Sequence, residues 1–339
     1  MARAQPTCVP SIDEDACSRG ILVRSACAAC AASCPHDALS ADEDGLYLEP
    51  ADCTGCGACL AACPRQAISL DSLDAIVIEP SGGSPVAALI CPRRAVGYGP
   101  CLQSLGLESL SRLWLGGVRR IVTLTAGCAD CPDGRSLAVA DRVADLNDLL
   151  ADRGLPLLRV EPAQSVAKSV PKLMARAADH AGRRAFLGLG AASAEADGPS
   201  ESALSRLQSL PAGPDARAAF APRIDPRICT GCDACVRICP EGALTLIKDE
   251  SGIMVYRTSP TKCTSCGLCM DVCGADAIRI DRQAPRVPDL RLTGYRCRGC
   301  GVEVHSPAGG PWDGGEAGGG LCPICAATSH HKRLFQVLP

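Results

Sequence analysis

The sequence predicts a multidomain α+β protein with two cysteine-rich modules, a central α/β domain with a parallel sheet, and a four-cysteine tail. Three observations predict this fold class. One cysteine spacing occurs in two separate regions, strand and helix patterns alternate between those regions, and two Cys-x2-Cys pairs lie close to the last residue. The expected divisions are an N-terminal module (1–74), a central domain (75–165), a linker (166–222), a C-terminal module (223–288) and a tail (289–339).

The composition indicates a metalloprotein of a reducing compartment, which we expect to be the cytoplasm. Cysteine supplies 25 of 339 residues, whereas Phe, Trp and Tyr together supply 3%. The cysteines follow metal-ligand spacings and no signal peptide precedes them, so a secreted disulfide scaffold is not expected. The net charge is −3, without a basic stripe, which argues against nucleic acid as a partner. No stretch approaches the roughly 18 apolar residues of a membrane span.

The C-terminal module contains two runs of four cysteines with one spacing. These runs are Cys229-x2-Cys232-x2-Cys235-x3-Cys239 and Cys263-x2-Cys266-x2-Cys269-x3-Cys273. Three thiolates from one loop converge on one cluster, and the fourth, which we expect at the start of a helix, ligates the other cluster. The expected ligand sets are Cys229, Cys232, Cys235 and Cys273 for one [4Fe–4S] cluster and Cys263, Cys266, Cys269 and Cys239 for a second. We expect Gly231 and Gly267 to let backbone N–H groups approach the inorganic sulfurs. The module resembles bacterial two-cluster ferredoxins.

The N-terminal module repeats this pattern with one alteration. Its second run is regular and its first run lacks the leading cysteine, where Arg24 stands. The expected ligand sets are Cys53, Cys56, Cys59 and Cys34 for one [4Fe–4S] cluster and Cys27, Cys30, Cys63 and Cys17 for the other. Cys8 competes with Cys17 for the vacant ligand position. If neither thiol reaches the loop, a three-iron cluster or a non-cysteine ligand is expected there. The module therefore also resembles a two-cluster ferredoxin, and four [4Fe–4S] clusters are expected in the chain.

Alternating patterns predict a parallel sheet in the central domain. The expected strands are 74–80, 86–91, 119–128 and 155–162, and the expected helices are 105–117 and 136–154. Ligands of open α/β sheets bind at the carboxyl ends of strands. Four cysteines lie at or near those ends, namely Cys91, Cys101, Cys128 and Cys131. They predict a metal site, with [2Fe–2S] preferred over zinc, although buried free thiols are the alternative. The glycines form no G-x-G-x-x-G turn, so no dinucleotide site is expected.

The order of CPRRAVGYGPC, LESLSRLWLGGVRRIVTLTAGCADC and LLADRGLPLLRV in the central domain resembles the iron–sulfur (delta) subunit of methyl-viologen-reducing hydrogenases. That resemblance implies electron transfer from a hydrogenase or formate dehydrogenase towards a heterodisulfide reductase. The same four cysteines match that family's cysteines, but a further family cysteine near Cys91 has no counterpart here. The resemblance therefore leaves the cluster type open. After this domain, a helix is expected over 168–187, followed by a tether rich in Ala, Gly, Pro and Ser.

The tail contains two Cys-x2-Cys pairs, Cys297–Cys300 and Cys322–Cys325. Two such pairs make a tetrahedral four-thiolate site that resembles both zinc ribbons and rubredoxins. Zinc is preferred over iron because a rubredoxin would bring more aromatic residues. His305, His330 and His331 are alternative ligands that could replace a thiol, although a solvated tail is the preferred interpretation for His330 and His331. His36 and His180 have no partner spacing and are expected at the surface.

No pattern for substrate chemistry occurs, so the chain is predicted not to be an enzyme by itself. Iron–sulfur centres in series predict an electron-transfer subunit that relays single electrons between a larger dehydrogenase, hydrogenase or reductase and another carrier. The arrangement also resembles the polyferredoxins that accompany molybdenum or tungsten formate dehydrogenases. An iron–sulfur and zinc scaffold or assembly factor for such an enzyme is the alternative. A redox sensor is disfavoured because no DNA-binding motif occurs.

Overall fold

The computed structural model describes residues 9–43, 45–70, 77–81, 84–91, 101–124, 131, 137–162, 201–310 and 320–328. Contacts divide the chain into a first unit, Met1–Ala216, and a second unit, Arg217–Pro339. The first unit contains the N-terminal module and the central domain, and the second contains the C-terminal module and the tail. In the described ranges, no helix combines the length and the apolar character needed to cross a membrane.

The N-terminal module consists of short elements around its cysteine loops. They are β1 (Ser11–Ile12), α1 (Ser18–Ile21), α2 (Ala29–Ser33), β2 (Leu39–Ala41), β3 (Leu46–Leu48), α3 (Ala58–Ala62) and β4 (Ile68–Ser69). Strand β1 pairs antiparallel with β4, and β2 with β3. Its small core contains Leu39 and Ile68 together with the thiols of Cys30 and Cys59. Aliphatic and cysteine side chains thus fill the interior of this module.

The central domain has a four-stranded sheet in which three neighbouring strands are parallel, as predicted. Its elements are β5 (Val77–Ser81), β6 (Ser84–Ile90), α4 (Leu107–Leu115), β7 (Arg120–Leu124), α5 (Leu137–Ala151) and β8 (Arg159–Pro162). The parallel pairs are β6–β7 and β7–β8. The first strand differs from the prediction, because β5 runs antiparallel to β6. Only two residues join these strands, which permits a hairpin but no crossover.

Both helices bury an apolar face. On α5 the buried residues recur at helical spacing: Val139, Val143, Leu146, Leu149 and Leu150. On α4, Leu110 and Trp114 are buried, and the Trp114 Nε1–H donates to the Pro156 carbonyl at 2.8 Å. The apolar periodicity that predicted these helices therefore marks the faces that they bury.

The predicted linker, 166–222, lies largely outside the described residues, as does the helix expected over 168–187. Its described part contains the helix α6 (Ala203–Gln208), and the first residues of β9 also fall within it. The Glu108 carboxylate on α4 accepts the N–H groups of Ala203 and Leu204 at 2.9 and 3.0 Å, which fixes the first turn of α6. Helix α6 thus packs on the central domain instead of forming part of a free tether.

The C-terminal module is built on a longer strand pair than the N-terminal one. Its elements are β9 (Arg217–Ile224), α7 (Ala234–Ile238), β10 (Leu244–Lys248), β11 (Met254–Thr258), α8 (Leu268–Asp271) and β12 (Ile278–Pro285). Strand β9 pairs antiparallel with β12, and β10 with β11. The two cysteine loops precede α7 and α8, as in the N-terminal module. Tyr256 is the largest side chain of its core and is 1% exposed.

The tail extends the sheet of the C-terminal module. Its elements are β13 (Leu290–Arg296), β14 (Glu303–Pro307) and α9 (Pro323–Thr328). Strand β13 pairs with β11 and with β14, which gives a four-stranded sheet in the order β10-β11-β13-β14. The tail is therefore joined to the C-terminal module by backbone hydrogen bonds.

Candidate iron–sulfur and metal sites

The altered half of the N-terminal module brings four thiols to one cavity. Its wall includes Cys17, Cys27, Cys30 and Cys63. Cys17 lies immediately before α1 and reaches the cavity from outside the cysteine loop. Arg24, which occupies the position of the missing cysteine, is exposed. Cys8, the competing thiol, lies outside the described residues. We name this cavity the Cys17 site.

Two further cavities bring together the thiols expected at regular clusters. The Cys53 site is lined by Cys34, Cys53, Cys56 and Cys59, and the Cys263 site by Cys239, Cys263, Cys266 and Cys269. The space at each site, which includes adjoining solvent, is about 360 Å³ for the Cys53 site, about 340 Å³ for the Cys263 site and about 380 Å³ for the Cys17 site. Four thiols around one space are the donor set that a [4Fe–4S] cluster requires. The altered site thus has the thiol number and the size of the regular ones.

The fourth thiol group, the Cys229 site, contains Cys229, Cys232, Cys235 and Cys273. The other three thiols all lie near enough to Cys235 to affect its pKa, which burial chiefly raises to about 12. Cys232 is the exposed member, and Cys229 and Cys235 are buried. In each site, therefore, the structure brings the fourth cysteine of one run to the loop of the other.

The fourth cysteine of each run lies at or just after the end of a short helix, not at the start of one as predicted. In three of the four loops the helix begins earlier, inside the loop. It starts directly after a residue with a left-handed backbone, which is Gly57, Asp233 or Gly267. Three of the fourth cysteines accept a backbone N–H from the alanine four residues later: Ala67 to Cys63 (3.3 Å), Ala243 to Cys239 (3.2 Å) and Ala277 to Cys273 (3.2 Å). These donors stabilise negative charge on the sulfurs.

Burial disfavours the thiolate in the metal-free protein. It raises the pKa of Cys30 to about 11, and those of Cys59, Cys263 and Cys269 to about 12. Thiolates in such surroundings need a bound cation to balance their charge, so metal uptake must release protons.

The two sites of each module share a core. Cys30 of the Cys17 site and Cys59 of the Cys53 site belong to one hydrophobic cluster. Cys235 and Cys269 have the same relationship in the C-terminal module. The thiols that separate neighbouring sites are thus buried and packed together.

A polar contact joins the tail to the Cys229 site. The Tyr256 hydroxyl donates to Asp233 Oδ1 at 2.6 Å, and His305 Nε2 lies 2.8 Å from the same oxygen. A carboxylate only accepts, so the His305 Nε2 carries the proton in this bond. Burial chiefly, and then the bond to Asp233, raises the pKa of Tyr256. His305 was predicted as an alternative metal ligand. It instead forms a hydrogen bond with Asp233 in the loop of the Cys229 site.

Gly231 in that loop is covered by the tail backbone. A Cβ atom at this position would lie 2.0 Å from the His305 carbonyl oxygen. The equivalent position of the other loop is Ser265, whose φ of 63° is also left-handed. The loop conformation thus tolerates a side chain, and the approach of β14 explains the glycine.

The N-terminal module packs on the central domain through its Cys53 site. A Cβ at Gly57 would lie 2.7 Å from the Ser104 Cβ, and a Cβ at Gly106 would lie 3.0 Å from the Ala61 carbonyl oxygen. Ser104 ends a 3-10 turn that begins directly after Cys101. Cys101 therefore lies three residues from the contact with the loop of the Cys53 site.

The predicted central site is described only in part. Cys91 is buried and follows β6, Cys101 and Cys131 are half-buried, and Cys128 lies outside the described residues. The three described thiols do not form a tight ligand group of the kind found in the tail.

The tail cysteines form a compact group of four thiols. The four sulfurs of Cys297, Cys300, Cys322 and Cys325 all lie within 4.8 Å of one another. Burial opposes ionisation of Cys297, but the N–H groups of Cys322, Cys300 and Gly299 outweigh it and lower its pKa to about 5. Burial and hydrogen bonds with the neighbouring thiols raise the pKa of Cys325. An ionised Cys297 thiol in this group of four gives the site a negative charge that attracts a cation.

Several residues near the sites were not predicted from the sequence. Arg19 and Arg65 line the Cys17 site. His36, expected at the surface, is half-buried and lines the Cys53 site. His36 and Arg65 each lie two residues after a fourth cysteine. The cysteine spacing could therefore have identified both positions as neighbours of a site.

Comparison with known proteins agrees with the two thiol-rich modules. A family model described as a 4Fe-4S dicluster domain matches residues 24–67 and 228–277. The first match begins at Arg24, so Cys17 lies outside it. No curated protein matches the chain. The N-terminal and C-terminal modules are thus each similar to a 4Fe–4S dicluster domain.

Proposed function

We propose that this protein is an electron-transfer subunit that relays single electrons between a larger redox enzyme and another carrier. The observation that carries the proposal is the convergence of four thiols at each of the sites in two dicluster domains. Bound [4Fe–4S] clusters supply one-electron redox centres at such sites. The ligand sets of the proposal are the members of the Cys17, Cys53, Cys229 and Cys263 sites.

The chain's own residues support a redox role in two ways. Buried thiols pack between neighbouring sites of one module, which excludes water from the space separating them. Backbone N–H groups donate to three of the fourth cysteines, which offsets the charge of a reduced centre. Both features favour rapid electron exchange with little rearrangement.

We further propose zinc at the four tail thiols and an additional centre, [2Fe–2S], at the central cysteines. The close approach of the four tail sulfurs supports a tetrahedral metal. The proposed central centre rests on the cysteine positions and on the packing of the Cys101 turn against Gly57.

The proposed partners are subunits of a formate dehydrogenase, a hydrogenase or a heterodisulfide-reductase-like enzyme, in the cytoplasm. We propose these partners because the central domain resembles the hydrogenase delta subunit, which passes electrons between such enzymes. No nucleic acid or membrane span enters the proposal.

Anaerobic metal analysis and reduction test the function. We expect about sixteen irons per chain, or about eighteen with a central two-iron centre, and about one zinc. Reduction by a formate dehydrogenase or hydrogenase should produce EPR signals of reduced clusters within enzyme turnover times. A colourless protein, or one whose thiols bind only zinc, would contradict the proposal.

The second candidate function is a scaffold or assembly factor for a molybdenum or tungsten redox enzyme. The tail favours it, because β14, which pairs with β13 next to the four tail thiols, packs on the loop of the Cys229 site and so could serve as a docking element. Clusters that are bound but stay oxidised with every enzymatic donor would support this candidate over electron transfer.

A further inference from the structure

The Cys17 site differs from the other sites in how its ligand loop is held. Cys17 lies outside the cysteine loop. Contacts beyond those of a regular loop are therefore needed to hold its segment next to the other three thiols. The Arg65 Nε donates to the carbonyl oxygen of Ala16, the residue before Cys17, at 3.0 Å. The Arg19 Nε donates to the carbonyl oxygen of Cys27 at 2.8 Å, and its Nη1 also donates to the Asp42 carbonyl. Two guanidinium groups therefore fasten the two chain segments that carry these thiols.

These hydrogen bonds hold two arginine side chains beside the cavity. Arg19 and Arg65 line the Cys17 site together with its four thiols, and the lining contains no Asp or Glu. Both side chains belong to half-buried residues. Asp13, Glu14 and Asp15 are close in sequence but exposed, where water and salt screen their charges. The Cys17 site thus has two arginine charges beside it, each held by a hydrogen bond to a backbone carbonyl oxygen.

The regular sites lack this excess of positive charge. The Cys263 site is lined by Glu241 and Lys262, whose charges offset each other. The Cys53 site is lined by His36 and by no Arg, Lys, Asp or Glu. At the Cys229 site the Asp233 carboxylate lies in the ligand loop next to Cys232. The residue two positions after the fourth cysteine of each site shows the same contrast. It is Arg65 for the Cys17 site, His36 for the Cys53 site, Glu241 for the Cys263 site and Ala275 for the Cys229 site.

We infer that Arg19 and Arg65 raise the reduction potential of the Cys17 site above those of the three regular sites. Reduction adds one electron and so one negative charge to a cluster, and net charge near the cluster is one of the factors that set its potential. An arginine stays charged at all working pH values, and a partly buried charge is screened less than an exposed one. Of the four sites, the Cys17 site is therefore reduced first. An electron that enters the first unit resides there and not at the Cys53 site.

This inference rests on the proposed function, because it requires bound clusters. It is tested by stepwise anaerobic reduction of the full-length protein at controlled potentials, followed by EPR. The signal of the Cys17 site is identified as the one that is altered or missing in Cys17→Ser. We expect this signal to appear at the highest potential in the wild-type protein.

Charge variants separate electrostatic tuning from structural support. Arg65→Gln and Arg19→Gln should each shift the midpoint potential of this one signal downward, whereas Arg65→Lys should largely preserve it. Arg24→Gln is the matched control, because it removes an exposed arginine of the same loop that does not line the cavity; it should shift the signal much less.

Each outcome decides the inference. If a Gln variant fails to retain its iron, the reduction order of the wild-type protein and the potential of Arg65→Lys remain as readouts. A Cys17 signal that appears last or together with the others would overturn it, as would unchanged potentials in iron-replete Gln variants. Either result would leave electron transfer intact, whereas a protein without reducible clusters would contradict the proposed function itself.

Discussion

His305 Nε2 lies 2.8 Å from Asp233 Oδ1, so a tail residue holds a residue of a cluster loop 72 positions earlier in the chain. Both side chains are largely buried, with exposures of 16% and 14%. The Tyr256 hydroxyl shares the same carboxylate oxygen. The contact connects the four-thiolate tail to the Cys229 site within the second unit.

Loss of this contact should loosen β14. We expect His305→Ala to lower the opening free energy of β14 by about 1–3 kcal/mol, because a buried hydrogen bond to a charged group is lost. Hydrogen–deuterium exchange of the β14 amides measures this free energy. Glu303→Gln, an exposed change in the same strand, is the control. In the double-mutant cycle, Asp233→Gly removes the partner and keeps the left-handed backbone, since Gly57 and Gly267 occupy the equivalent position in two other loops with that backbone conformation. Additive effects of the two substitutions would contradict a direct interaction.

Gly231 and Gly267 provide a matched pair for the tail contact. Both have left-handed φ values, 70° and 82°, but only Gly231 faces the His305 carbonyl. Alanine should cost about 1–2 kcal/mol at either position from backbone strain. At Gly231 we expect a further loss of about 1–3 kcal/mol from overpacking. Hydrogen exchange of β14 in the two variants measures the difference. Equal effects would show that the tail approach does not require this glycine.

Cys17 should be needed for the altered N-terminal site. We expect Cys17→Ser to lower the iron content by between about one atom, if a three-iron cluster remains, and about four, if the cluster is lost. Cys8→Ser should leave the iron content unchanged. Anaerobic iron and sulfide analysis of both variants, with EPR of the oxidised protein for three-iron clusters, provides the measurement. The opposite pattern would identify Cys8 as the ligand.

Metal uptake by the tail should release fewer than four protons at pH 7. The pKa of Cys297 is lowered to about 5, so this thiol is already ionised at neutral pH, whereas that of Cys325 is raised. The metal binds thiolates, so its affinity for the tail rises with pH as long as some of the free thiols are protonated. Cys297 contributes a released proton only at pH values near or below about 5, where its thiol is protonated before the metal binds. Zinc calorimetry of the tail-demetallated protein in buffers of different ionisation enthalpy counts the protons. Release of four or more at pH 7 would contradict an ionised Cys297.

The cysteine spacings predicted much of the site, since spacing determines which thiols share a loop and which cross over. The path of the Cys17 segment could not be predicted, because it depends on the Arg65 bond to Ala16, 49 positions away. The position of His305 was equally hidden, because it follows from the pairing of β13 with β11. Apolar periodicity predicted α4 and α5, but the packed helix α6 was missed in a segment of loop-like composition.

The exchange of fourth cysteines between loops has a consequence for metal loading. A module that has filled one of its two sites has already drawn a residue of the second loop into place. The first assembly event therefore preorganises the second, and removal of either metal centre leaves a thiol of the surviving loop without its charge partner. Filling of one site should accordingly favour filling of the other, so that singly loaded modules of the wild-type protein are rarer during assembly than two independent sites would give.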